Sequence, residues 1–147
     1  MTGTVLYEVR RLRGEDEFHA ALVLRHEVFC VEQGVPAHEE LDGRDHEGVH
    51  LVAISEGEVV GTCRLLMVGP TAQFSRLAVR SSLRRRGIAR ALLELAEQEA
   101  RAARSSRLVL HAQTYAQELY EQAGYRTRGR VFVEAGIEHI AMERRLG

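Results

Sequence analysis

The sequence predicts an α/β (α+β) fold: a mixed, mostly antiparallel twisted sheet of about seven strands with about four helices on its faces. Three observations carry this prediction. Short β-rich runs are joined by tight Gly-containing connections, one strongly amphipathic helix occupies residues 84–104, and a strand-helix-strand unit precedes a closing hairpin.

Residues 4–12 read as a first strand, followed by Gly14 and an acidic Glu15, Asp16 and Glu17, which suit the positive end of a helix dipole. Phe18, Ala21, Leu22, Val28 and Phe29 then recur at helical spacing. Gly34 and Pro36 break that periodicity, and residues 38–48, polar and acidic, read as a long solvated loop. Residues 49–55 and 59–67 are strands joined by Glu56-Gly57-Glu58, and another strand spans 72–79. In the helix at 84–104, Ile88, Leu92, Leu95, Ala96 and Ala103 mark the apolar stripe. A buried-type strand at 108–112 and a short helix at 115–123, stopped by Gly124, follow. The last two strands, 125–134 and 137–145, meet at Ala135-Gly136.

The 147 residues suit one domain, 1–147, and 45% hydrophobic against 28% charged residues is the balance of an ordinary globular chain. A net charge of -1 excludes whole-molecule attraction to nucleic acid or to an anionic membrane, so any anion site is local. Cys30 and Cys63 lack disulfide-framework or zinc spacing, and both are expected to be reduced. No metal-ligand motif occurs. The N-terminus is charged and no run of about 18 apolar residues exists, so a cytoplasmic location is expected.

The chemistry concentrates in FSRLAVRSSLRRRGIAR, residues 74–90, where a strand turns into the amphipathic helix. The first turn of a helix presents unpartnered N–H groups and about half a positive charge. Gly87 lets an anion approach the backbone, Ala89 keeps the next turn open, and Arg84, Arg85, Arg86 and Arg90 add fixed charge. Three successive arginines oppose the helix dipole unless an anion compensates them, which favours a phosphate site over a solvated turn. Walker and dinucleotide-binding glycine patterns are both absent.

R-x-x-G-x-A at residues 84–89, after FSRLAV, resembles the acetyl-coenzyme A motif of the GCN5-related N-acetyltransferase (GNAT) superfamily. AQELYEQAGY, residues 116–125, resembles that superfamily's later motif, and VFCVEQGVPAHEELDGRDHEGVHLVA with HAQ at 111–113 is similar to its ElaA-type branch. The resemblance implies a single GNAT fold and acetyl-coenzyme A as co-substrate. It implies that the main chain of Leu77, Ala78 and Val79 holds the pantetheine arm, and that amides and side chains from Arg84, Arg85, Arg86, Gly87, Ile88, Ala89 and Arg90 hold the diphosphate. Tyr120 aligns with the superfamily's general acid, while Tyr115 and Tyr125 read as packing residues.

An ammonium near pKa 10.4 must lose a proton before it attacks. Candidate bases are Glu32, Asp42, His50 and His111, with Arg64 and Arg76 as candidate anchors for a substrate carboxylate and Glu32, Asp42 and His50 as further acceptor contacts. The expected partner is an amine on a small molecule or peptide, with no nucleic acid and no membrane, in a monomer or a homodimer. The alternative is a non-catalytic acyl-coenzyme A sensor.

Overall fold

The computed structural model describes residues 4–147. Met1 to Gly3, the start of the segment judged to lack a secretory signal, lie outside the described residues. Seven strands form one open sheet: β1 (Glu8–Arg11), β2 (Val49–Ser55), β3 (Glu58–Val68), β4 (Thr71–Val79), β5 (Arg107–Gln113), β6 (Arg126–Glu134) and β7 (Ile137–Arg145), in the order β1-β2-β3-β4-β5-β7-β6. Every neighbouring pair is antiparallel except β4 and β5. Glu56-Gly57 and Ala135-Gly136 all take positive φ (51°, 77°, 53° and 77°), the left-handed pair that closes a two-residue hairpin in register with the strand twist. β1 is shorter than the strand expected at 4–12.

Helices cover both faces. Helix α1 (Gly14–Arg25) lays Ala21 and Leu24, with Val28 beyond its end, on Val52, Val59 and Ala78 of one face. It does not run on as α-helix to Phe29, because residues His26–Glu32 widen into a π-helical stretch whose buried side chain is Val28. On the opposite face, helix α3 (Ile88–Ala102) buries Ile88, Leu92, Leu93, Ala96 and Ala100 against Leu51, Cys63 and Leu65. Gly61 of β3 permits that approach: a Cβ there would lie 2.9 Å from Ile88 Cγ2. Helix α4 (Gln117–Gln122) follows a 3-10 turn at Thr114–Ala116, and its end is closed by the Tyr125 amide donating to the Tyr120 carbonyl over 3.0 Å.

The stretch at 38–48 corrects the solvated-loop reading. It contains a one-turn helix, α2 (Ala37–Glu40), and a 3-10 turn at Asp45–Glu47, and Glu40 is only 4% exposed.

Two irregularities position the site. The parallel β4–β5 ladder runs from Thr71↔Arg107 to Phe74↔Leu110 and stops, so residues 75–79 and 111–113 part without pairing. Against β3, Thr62 faces Ala78 and Arg64 faces Ser75, which leaves Arg76 and Leu77 together opposite Cys63. This bulge puts Arg76 at φ 58° and bends β4 further from β5.

Candidate active site

The parted strands open into a cleft of about 770 Å³, lined along β4 by Phe74, Ser75, Arg76 and Leu77, along β5 by His111 and Gln113, and at its base by Tyr120. Gln113 Nε2 donates to Gln33 Oε1 at 2.8 Å, and Gln33 Nε2 donates to Tyr115 Oη at 3.4 Å. This chain ties the end of the π-helical stretch to the end of β5. Tyr115 therefore belongs to the cleft rim, with 77% of its surface exposed, rather than to the packing expected of it.

At the end of β4 the chain turns into α3 through residues 80–87. Gly87 caps the helix at φ 85°, Arg85 stands at φ 63°, and no side chain among the described residues caps the helix start. The amides of Ile88, Ala89 and Arg90 thus keep the free donors that a diphosphate requires, and small Ala89 leaves them accessible. Arg84 is fixed beside them: its Nε donates to the Val79 carbonyl at 3.1 Å and its Nη2 lies 2.8 Å from Glu32 Oε2. Arg90 turns along α3 to Glu94 at 3.2 Å. The donor set fits a linked pair of phosphates, and Arg84, Arg85, Arg86 and Gly87 would flank it. Tyr7, which the sequence did not single out, places its hydroxyl 3.4 Å from where a Gly87 Cβ would stand.

Tyr120 is buried at the vertex of the split, its ring edge-on to Phe74 (6.5 Å) and Tyr125 (5.9 Å). Burial pushes its phenol well above the ordinary tyrosine value, so it stays protonated across the working range. Tyr125 packs as expected and donates to Glu97 Oε2 at 2.8 Å. Both cysteines are free; burial raises Cys63 far out of the nucleophilic range and raises Cys30 as well.

Glu40, Asp42, Arg64 and Arg76 on the polar wall of the cleft belong to a closed ring of six alternating charges. Arg25 meets Glu40 at 2.6 Å, Glu40 meets Arg76 at 3.3 Å, Arg76 meets Asp42 at 3.3 Å, Asp42 meets Arg64 at 2.8 Å, Arg64 meets Asp45 at 3.0 Å, and Asp45 returns to Arg25 at 2.8 Å. These groups come from α1, the 37–47 segment, β3 and β4, so the ring straps that segment to the sheet. Three candidates are thereby reassigned. Arg64 and Arg76, expected to anchor a substrate carboxylate, already hold protein carboxylates, and Asp42, a candidate base, is tied to both.

The ring gives the fold an acid limit. The Arg64 hydrogen bonds hold Asp42 well below the usual carboxylate range. Burial alone would push Asp45 up, but bonds from Arg25 and Arg64 outweigh it and lower its value. Carboxyls depressed on folding stabilise above their unfolded value of about 3.9 and lose that contribution as pH falls through the folded one. Melting temperature should therefore hold from pH 7 to about pH 5 as far as these groups decide it, then fall steeply below about pH 4, with a shallower fall in Asp42→Asn. Equal melting temperatures at pH 5 and pH 3 would contradict the ring's role.

Two other candidates lie away from the cleft. His50 hydrogen-bonds the Asp45 carbonyl at 2.8 Å and packs edge-on to Phe18, so it supports the ring from behind. Glu32 faces Arg84 and the diphosphate loop, not the acceptor end. His111 is the candidate base that lines the cleft and is not held by the ring, and it brings a partner that sequence reasoning missed: Nδ1 lies 2.8 Å from Glu134 Oε2, with the Phe132 ring edge-on at 5.0 Å. With Nδ1–H donated to the carboxylate, Nε2 carries the lone pair. Nothing in the spacing of residues 111 and 134 announces this pair, because β7 lies between their strands.

Comparison with known proteins agrees with this geometry. The family model "Acetyltransferase (GNAT) domain" matches residues 15–146. The chain is 34% identical over 131 residues to the Bacillus subtilis "Uncharacterized N-acetyltransferase YjcF", covering 88% of this chain and 94% of that one. It is similar to the crystal structure of an acyl-CoA N-acyltransferase from Pseudomonas aeruginosa (TM-score 0.83, 31% identity, 95% and 99% covered). It is also similar to that of Escherichia coli ElaA (TM-score 0.85, 26% identity, 95% and 99% covered). The parted parallel strands, the uncapped helix start after β4 and the match over residues 15–146 together place the chain in the GNAT superfamily of acetyltransferases, in its ElaA-like branch, as an acyltransferase that uses acetyl-coenzyme A.

Proposed function

We propose that the protein transfers acetyl from acetyl-coenzyme A to a primary amine of a small molecule or peptide, directly and within a ternary complex. The observation that carries this reading is the β4–β5 split, which lies between an uncapped helix start on one side and the His111–Glu134 pair on the other.

Bound along the split, acetyl-coenzyme A supplies an acetyl thioester. The Ile88 to Arg90 amides and Arg84 hold its diphosphate, with the main chain of Leu77, Ala78 and Val79 beside the pantetheine arm. His111 Nε2 takes the proton from the entering ammonium while Glu134, 2.8 Å from Nδ1, fixes the ring's orientation. Tyr120 donates its phenolic proton to the departing thiolate. Holding amine and thioester in one cleft supplies the larger part of the rate.

The test is thiol release from acetyl-coenzyme A across polyamines, aminoglycosides, arylalkylamines, amino acids and peptides. Release that depends on an added amine supports the reading. Tight coenzyme A binding with no release on any acceptor would make the chain a sensor. The sequence contains no lysine, so acetyl-lysine found in a peptide assay comes from the added acceptor.

His111→Gln should lose about 10²-fold in kcat at neutral pH, with a deficit that shrinks as pH approaches the acceptor's own pKa and free amine accumulates. Glu134→Gln should show a smaller loss in kcat, with Glu134→Asp restoring part of it. A pH-independent loss in His111→Gln would remove it as the base.

A further inference from the structure

Resting on the amine-acetylation reading, we infer that the acceptor is a primary amine with no carboxylate beside it, and that Asp42 and Glu40 impose this choice by occupying Arg64 and Arg76. A carboxylate is recognised best by a bidentate guanidinium. The cleft wall holds two guanidiniums at the right place, and both are taken. Arg64 donates through Nη1 to Asp42 Oδ1 at 2.9 Å and through Nη2 to Asp42 Oδ2 at 2.8 Å, with only 3% of its side chain exposed. Arg76 donates to the Glu40 carbonyl at 3.0 Å and to the carboxylates of Glu40 and Asp42 at 3.3 Å each. Arg25 and Asp45 close the circuit, so three arginines are neutralised by three carboxylates and no guanidinium of the ring remains to meet an incoming anion.

The rest of the lining points the same way. Arg44, the third arginine of the lining, is paired with Glu47 at 3.4 Å. The carboxylates of the cleft outside the ring are Glu39 and Glu134, which attract an ammonium and repel a second carboxylate. Phe29, Leu66 and Leu110 offer apolar wall to the body of the acceptor. A carboxylate-bearing acceptor would have to break the Arg76–Asp42 or Arg76–Glu40 pair and leave a partly buried carboxylate without its cation. An amine whose neighbouring carbon carries hydrogen, a sugar ring or a peptide carbonyl meets no such obstacle.

The experiment compares matched single-amine pairs that differ only in the carboxylate: phenethylamine against phenylalanine, tyramine against tyrosine, and histamine against histidine. Rates are taken at saturating acetyl-coenzyme A and expressed per free amine. The decarboxylated member should have the higher kcat/KM by at least about tenfold in each pair that turns over. Asp42→Asn frees one guanidinium edge, and the ratio should narrow, mainly through a lower KM for the amino acid. If that variant does not fold, the ratios for the unmodified protein decide the question alone. Equal or faster turnover of the amino acids overturns this inference and leaves the N-acetyltransferase reading intact. Absence of turnover with both members of all three pairs and across the wider amine panel overturns both.

Discussion

Gly87→Glu is expected to abolish coenzyme A binding in a protein that still folds. Two effects of this substitution separate cleanly. The backbone stands at φ 85°, so any side chain strains it by about 1–2 kcal/mol, against a typical domain stability of about 5–15 kcal/mol. Space is not limiting, since a Cβ there would meet Tyr7 Oη at 3.4 Å, an ordinary contact. A carboxylate at the start of α3 is even favourable to the helix dipole, and for that same reason it takes the place a diphosphate would fill and repels it. Gly87→Ala carries the strain without the charge and should weaken binding far less. Calorimetric titration with coenzyme A and a thermal melt on each variant check this. An affinity for Gly87→Glu within about threefold of the unsubstituted protein would show that the diphosphate lies elsewhere, since removing one charge-assisted contact already costs about 1.5–3 kcal/mol.

The sequence carried the parts of the fold that depend on neighbours in the chain. Helix α3 is legible from Ile88, Leu92 and Ala96 because a 3.6-residue stripe is a local pattern, and both hairpins are legible because Glu56-Gly57 and Ala135-Gly136 provide the left-handed pair their turns need. The cofactor loop is legible for the same reason: strand, arginines, Gly87 and helix follow one another directly.

What escaped reading is what depends on distant segments meeting. The π-helical stretch after Arg25 keeps nearly helical spacing, so the apolar pattern at Val28 and Phe29 does not distinguish it from continued α-helix. Residues 38–48 look like a solvated acidic loop until Arg25, Arg64 and Arg76 arrive from three other elements and neutralise Glu40, Asp42 and Asp45. His111 could be suspected from its strand end. Glu134 could not, because its role exists only once β6 and β7 fold back beside β5. The proposed acceptor half of the candidate site is thus tertiary in origin, and the proposed cofactor half is local.

Tyr120→Phe is expected to lower kcat by about 10² to 10⁴-fold with little change in stability or in KM for acetyl-coenzyme A. The phenylalanine ring keeps the edge-on contacts to Phe74 and Tyr125, and the hydroxyl has no hydrogen-bond partner among the described residues, so its loss strands no protein group. Because burial holds the phenol protonated well beyond its ordinary value, the deficit should be nearly constant from pH 6 to pH 9. That flat profile contrasts with the deficit of His111→Gln, which shrinks as free amine accumulates. The two pH profiles would therefore separate proton delivery by Tyr120 from proton removal by His111. A weaker acid than the thiol it serves can act only through placement, and Tyr120 lies where β4 and β5 part, at the Phe74↔Leu110 pair. Unchanged turnover in Tyr120→Phe would leave the thiolate to depart unprotonated and reduce Tyr120 to a packing residue.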